Sequence, residues 1–157
     1  MDENIKKVRL EQMLPAMLLK LDGGGEVVIP VTGVSMKPAL KAGRDYAVLE
    51  KAPEKLRKND IVLYRRDDGS FVLHRIIGED ENGFIMMGDN QNVKEYSVSR
   101  SSVIAVLTAV ERNGGRISAK SFGFKLLGVF RRQIYIIRKA TARLRRHLGK
   151  LKNGKKD

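Results

Sequence analysis

The stretch that decides the fold is DIVLYRRDDGSFVLHRIIGEDENGFIMMGDN, residues 60–90. Its apolar runs are short and rich in Val, Ile, Leu and Tyr, and each one ends at a turn signal such as RRDDGS, EDENG or GDN. Runs of this kind are typical of β-strands in a small sheet or barrel. The pattern extends from Glu26 to about Val110 through EVVIPV, DYAVLE and SVIAVLTAV. We therefore predict a mostly β domain over residues 26–112, built as a barrel-like sheet.

Helical patterns flank this β region on both sides. Residues 3–20 carry apolar side chains at mostly helical spacing, and the Gly23–Gly25 run follows. This predicts a short amphipathic helix within a segment 1–25, with Pro15 as a kink or restart. Residues 116–157 predict a basic amphipathic helix, because large apolar residues recur at steps of three, four or seven and basic residues lie opposite. The apolar positions are Leu127, Phe130, Ile134, Ile137, Leu144, Leu148 and Leu151.

The charge is concentrated in that C-terminal segment. Residues 1–115 contain 17 Lys and Arg and 17 Asp and Glu, so the whole net charge of +13 lies in residues 116–157. The N-terminus lacks the basic start and long apolar core of a secretory signal. No stretch reaches the roughly 20 uninterrupted apolar residues of a membrane span. We expect a cytoplasmic protein or one bound peripherally to the cytoplasmic membrane.

The numbers of cysteine and histidine residues exclude several kinds of metal site and catalytic site. The chain has no cysteine, which excludes disulfides, thiolate zinc sites and thiol catalysis. The two histidines, His74 and His147, cannot form a three-histidine metal site, and no loop has calcium-binding spacing. We expect neither a metal nor another cofactor.

Ser35, in TGVSMKPAL (32–40), is either an ordinary loop residue or a nucleophile at the end of a strand. A serine nucleophile needs a base, and His74 is the only histidine of the β region. Strand alternation turns His74 to the same face as Val72 and Ile76, toward an interior or a groove. A satisfied core histidine would show the same pattern, so this residue alone leaves both interpretations open.

An acidic residue is the third component of such a site. GDNQN (88–92) contains Asp89 just after the strand FIMM, although Gly-Asp-Asn is also common in plain turns. Glu95 and Asp80 are nearby competitors for the same role. An imidazole with a pKa of about 6.5 is already largely neutral at pH 7, so it tolerates an acid that orients it.

Four boxes in this order resemble one superfamily of serine peptidases: GVSMKP (33–38), DIVLYRR (60–66), LHRIIG (73–78) and GDNQN (88–92), followed by the strand SSVIAVLTAV (101–110). They look like the successive boxes of type I signal peptidases and self-cleaving phage and SOS repressors. The resemblance covers about residues 27–110. Many members have a lysine base where this chain has His74, and the chain is similar to the Ser-His branch found in signal peptidases of the endoplasmic reticulum and archaea.

The resemblance implies roles for individual residues. Ser35 would attack the scissile carbonyl, His74 would be the general base, and Asp89, which matches the family's Gly-Asp-Asn box, would orient the imidazole. Many signal peptidases have a hydroxyl residue two places before the nucleophile, where this chain has Gly33. The repressors resemble this chain in having Gly-x-Ser-Met and use backbone amides around the nucleophile, so the resemblance implies an oxyanion hole formed by the N–H groups of Val34 and Ser35, with Thr32 as a possible helper.

The expected function is that of a serine endopeptidase acting on a signal- or leader-type precursor peptide. The alternative is a non-catalytic β module that binds through its basic segment, and a self-cleaving repressor is a further variant. Residues 122–152 are expected to contact an anionic membrane surface. Lipid is favoured over nucleic acid because an apolar stripe has no use on a phosphate backbone. Docking of the same segment on the β domain or another subunit is a third option.

Overall fold

The computed structural model describes residues 3–121, of which 3–9 as backbone only, together with Phe124 and Thr141. Of the predicted basic helix, residues 116–118 are strand rather than helix, and the part beyond residue 121 lies outside the described residues except for Phe124 and Thr141. The elements are a helix α1 (Glu3–Asp22), strands β1 (Val27–Pro30), β2 (Asp45–Lys51), β3 (Ile61–Arg65), β4 (Phe71–Asp80), β5 (Gly83–Met87) and β6 (Glu95–Val98), a 3₁₀ turn (Arg100–Ser102), and strands β7 (Val103–Arg112) and β8 (Gly115–Ser118).

All eight strands belong to one antiparallel sheet, which confirms the mostly β prediction. The strand order is β1-β2-β7-β3-β4-β5-β6, and β8 pairs with the C-terminal part of β7. In the part of the chain that the structure describes, β1 and β6 end the path and do not pair, so the sheet is open rather than a closed barrel.

The half of the sheet from β3 to β6 is strongly curled. Neighbouring strands lie about 4.8 Å apart, so in a flat sheet β6 would lie about 14 Å from β3. Yet Glu95 at the start of β6 accepts hydrogen bonds from Tyr64 of β3 and from Arg66, which follows β3. The curl closes over a small core formed by Leu56, Val62, Tyr64, Ile76, Phe84 and Met86.

The opposite face of the sheet carries the larger core. Helix α1 packs there through Met17 and Leu21, which are 3% and 1% exposed, and Pro15 lies within the helix without ending it. Phe124 joins the same cluster. Alternation along β4 therefore sends His74 into the curl and Arg75 toward the opposite face, because successive side chains of a strand point to opposite sides. Among the described residues, no helix combines the length and hydrophobicity needed to cross a bilayer.

Candidate active site

The segment that carries Ser35 is anchored on its C-terminal side. Met36 and Leu40 are buried in the large core. Asp45, itself buried, accepts hydrogen bonds from the Lys41 N–H at 2.8 Å and from Arg112 Nη2 at 2.9 Å. A buried carboxylate that is fully hydrogen-bonded holds its surroundings firmly, because losing any partner leaves a desolvated charge. The turn after Ser35 is therefore tied to β2 and β7.

The turn at residues 88–90 holds the backbone of Ser35 on its other side. The Asn90 N–H donates to Ser35 O at 2.6 Å, and Asn90 Nδ2 donates to Val34 O at 3.3 Å. A Cβ atom added at Gly88 would lie 2.8 Å from Ser35 O and 3.0 Å from Ser35 Cβ. Only glycine allows this approach, so Gly88 permits Ser35 to lie directly against the end of β5.

The register of β4 and β5 brings His74 to the same place. The last pair of the ladder is Arg75 opposite Met87, so extending it by one residue sets His74 opposite Gly88. Cross-strand neighbours on one face have Cβ atoms roughly 5 Å apart. Gly88, against which the backbone of Ser35 lies, and His74 are therefore neighbours at this end of the β4–β5 ladder.

His74 is 1% exposed, and its Nδ1 atom faces two side chains. Nδ1 lies 3.0 Å from Glu95 Oε1 and 3.2 Å from the Tyr64 hydroxyl oxygen. The Tyr64 hydroxyl donates its only proton to Glu95 Oε2 at 2.7 Å. Since a carboxylate only accepts, the proton between Glu95 and His74 must sit on Nδ1, which leaves the Nε2 lone pair free.

The electrostatics keep this histidine neutral and this glutamate charged. Burial lowers the pKa of His74 below its ordinary 6.5, and the Glu95 carboxylate opposes that shift only in part. Burial alone would raise the pKa of Glu95, but hydrogen bonds from Arg66 and Tyr64 outweigh it and lower the pKa. Near pH 7 the pair is a neutral imidazole beside a carboxylate, which is the state a general base requires.

Asp89 does not contact His74 and instead forms a buried pair with Arg75. Arg75 Nε donates to Asp89 Oδ1 at 2.8 Å and Nη2 donates to Oδ2 at 2.7 Å, while both side chains are 5% exposed. Arg75 follows His74 in β4 and therefore points to the opposite face, and the Asp89 side chain in the turn after β5 lies on that face. The structure thus pairs Asp89 with Arg75 and places Glu95 beside His74.

The sequence motifs predicted no role for the side chains that bind Glu95 and Asp89. Tyr64, Arg66 and Arg75 all lie in the quoted boxes, but their partners are distant in sequence. The sequence contained one indication of these partners. His74 and Arg75 are adjacent in a strand and therefore point to opposite faces, so a single acidic side chain cannot bind both of them. Asp80, the other competitor, is the last residue of β4 and accepts hydrogen bonds from the Ser97 and Asn82 N–H groups.

Within the described part of the chain, no group of three or more histidine or carboxylate side chains is arranged to hold a metal ion. A protein-family model described as Peptidase S24-like matches residues 2–110, from α1 through most of β7. Comparison with curated proteins gives no match.

Proposed function

The chain belongs to the Peptidase S24-like family, and from that membership together with the geometry around Ser35 we propose that it is a serine endopeptidase with a Ser-His mechanism. Family membership points to serine peptidase chemistry, including self-cleavage. The observation that carries the finer proposal is the contact of Ser35 with Gly88, the residue that the register sets opposite His74. Glu95, on Nδ1 of the imidazole, takes the orienting role that the motifs suggested for Asp89.

These groups would carry out peptide hydrolysis in two steps. Nε2 of His74 takes the proton of Ser35 Oγ as the oxygen attacks the scissile carbonyl, and Glu95 stabilises the imidazolium that forms. The imidazolium then protonates the leaving amine, which breaks the C–N bond and leaves an acyl-Ser35 ester. Water attacks this ester with His74 again as the base, and the acid product and Ser35 are released.

The N–H groups of Val34 and Ser35 are proposed to bind the oxyanion. In the described part of the chain neither N–H takes part in a backbone hydrogen bond, whereas both carbonyl groups accept from Asn90. Free N–H groups beside a nucleophile can be aimed at the developing charge without reorganisation, and each such donor typically contributes on the order of 3 kcal/mol to transition-state binding.

We propose a precursor peptide of the signal or leader type as the substrate, which rests on the resemblance of the four boxes to signal peptidases. The net charge of +13 in residues 116–157 and the apolar stripe within residues 122–152 support peripheral binding to an anionic membrane surface. Such binding would put the enzyme where precursor peptides emerge. Stronger co-sedimentation of the full chain with anionic than with neutral vesicles is the expected result, and equal sedimentation would contradict it.

The proposal is tested by treating the wild-type protein with a fluorophosphonate and mapping the modified residue by mass spectrometry. Label on Ser35 in the folded protein and none after heat denaturation would support an activated serine. A library of signal- and leader-like peptides then defines the substrate, while the intact mass of the incubated protein reports self-cleavage. Absence of labelling and of any cleavage would instead favour a non-catalytic β module.

The site should remain active in mildly acidic solution. Activity requires neutral His74, so kcat/KM rises with pH through the pKa of His74, and burial lowers that pKa below 6.5. We expect the midpoint of the acid limb to lie below pH 6.5. The check is kcat/KM measured from about pH 4.5 to about pH 8, with circular dichroism to confirm folding throughout. A midpoint above 6.5 would show that Glu95 outweighs burial.

Gly88→Ala is expected to lower kcat/KM roughly 10- to 100-fold, because its methyl group would displace Ser35 and misplacing a reacting atom by about 1 Å has effects of this size. Gly78→Ala in β4 is the matched control, since the added Cβ there meets only Ile85 Cδ1 at 3.6 Å. Equal activity of the two variants would argue against the contact of Ser35 with residue 88 in the active protein.

A further inference from the structure

We propose that Tyr64 and Arg66 are positioning residues that hold both oxygens of Glu95, so that the proton of His74 stays on Nδ1 and Nε2 stays free to act as the base. This inference rests on the proposed function of Ser35 and His74. It concerns two side chains that do not touch the substrate and act through Glu95.

Arg66 fixes the plane of the Glu95 carboxylate. Its Nε donates to Oε2 at 2.8 Å and its Nη2 donates to Oε1 at 2.6 Å. A guanidinium that binds both oxygens in parallel sets orientation as well as charge, which a single ammonium group cannot do. Oε1 is therefore shared between Arg66 and His74, and Oε2 between Arg66 and Tyr64.

Tyr64 supports the Nδ1-protonated form of His74 that the Glu95 carboxylate imposes. Its hydroxyl is buried, and burial, reinforced by the hydrogen bond to Glu95, raises the pKa of Tyr64, so the phenol stays protonated. With its proton given to Glu95, the hydroxyl oxygen can only accept from Nδ1. A proton on Nε2 would leave the Nδ1 lone pair facing two oxygen acceptors, so this tautomer is disfavoured.

Arg66 also moderates the field of the carboxylate. The charged and titratable groups around His74 are Glu95 from β6, Tyr64 and Arg66 from the β3 side, and Asp89 from the 88–90 turn. Glu95 and Asp89 raise the pKa of His74, whereas Arg66 lowers it. An imidazole beside an uncompensated carboxylate would hold its proton more tightly and would be a poorer base for Ser35 at neutral pH.

The kinetic test uses Tyr64→Phe and Arg66→Met, each with a matched control. Both variants should lower kcat about tenfold, a part of the 10²–10⁴-fold typical of general-base catalysis, while KM changes little. Arg66→Met should also move the acid limb of kcat/KM to higher pH. Tyr46→Phe, on an exposed ring, and Arg65→Met, which removes a charge one residue away with no contact to Glu95, should leave kcat and the pH profile unchanged.

A second readout does not depend on turnover. ¹⁵N NMR of a His147→Gln protein, in which His74 is the only histidine, should show a neutral imidazole protonated at Nδ1. Arg66→Met frees the Glu95 carboxylate to turn away from Nδ1 and lets the Tyr64 hydroxyl donate there, so this variant should show a mixture of tautomers. Unchanged tautomers together with unchanged kcat in both variants would overturn the inference. If the wild type cleaves no peptide and is not labelled, but the NMR shifts appear, the hydrogen-bond arrangement stands and the proposed function fails.

Discussion

Ser35→Ala is expected to lower kcat/KM by a factor on the order of 10⁵, and His74→Ala by a similar factor. In the proposed mechanism Ser35 Oγ forms the acyl-enzyme and the His74 imidazole is its base, so either substitution removes a group that the reaction requires. Because the two residues act as one unit, the double variant should be no slower than the slower single variant. Initial rates on the best peptide from the library measure all three.

Two matched substitutions control for this result. Ser101→Ala, at an exposed serine in the 3₁₀ turn, and His147→Ala should both keep wild-type rates. Thermal unfolding should confirm that the Ser35 and His74 variants remain folded. Losses that multiply in the double variant would mean that Ser35 and His74 act independently, which would contradict the nucleophile and base assignment.

Glu95→Gln is expected to lower mainly kcat, whereas Asp89→Asn is expected to lower mainly the free energy of unfolding. Glu95→Gln should lower kcat by about 10³–10⁴-fold with a small change in stability, because a neutral amide cannot stabilise the imidazolium and can donate to Nδ1 in the wrong tautomer. Asp89→Asn should instead cost about 3–5 kcal/mol of unfolding free energy, because it leaves Arg75 as a buried charge without its bidentate partner.

Chemical denaturation measures the stability of both variants, and peptide cleavage below the unfolding transition measures kcat. The matched control is Asp80→Asn, at the last residue of β4, whose exposed carboxylate accepts from the Ser97 N–H. The opposite pattern, with full stability and lost kcat in Asp89→Asn but wild-type kcat in Glu95→Gln, would restore Asp89 as the residue that orients His74.

Most of the strands could be predicted from local pattern, because alternation and turn residues act over a few positions. The runs in residues 60–90 become β3, β4 and β5, and the N-terminal apolar pattern becomes α1. β8 (Gly115–Ser118) was not predicted, since GRIS is too short and polar to stand out, and it forms by pairing with β7. The barrel-like closure was not found in the described residues, because pairing of β1 with β6 depends on the whole sheet.

Some residues of the candidate site could be predicted from local sequence and others could not. Ser35 and His74 could be proposed from residue type, order and strand period. Asp89 was the natural choice from its motif, but its side chain turns to Arg75 on the other face. Glu95 could only be kept as a competitor, because nothing local in VKEYS shows where β6 returns.

By itself the sequence determined the fold class, the order of the chemical groups and the face of β4 on which His74 lies. These properties follow from side-chain chemistry and from a strand period of two, which are local. Only the tertiary structure decided which acidic side chain contacts His74. That contact depends on the curl of β3 to β6, which brings Glu95 within 2.7 Å of Tyr64 although 31 residues separate them in the chain.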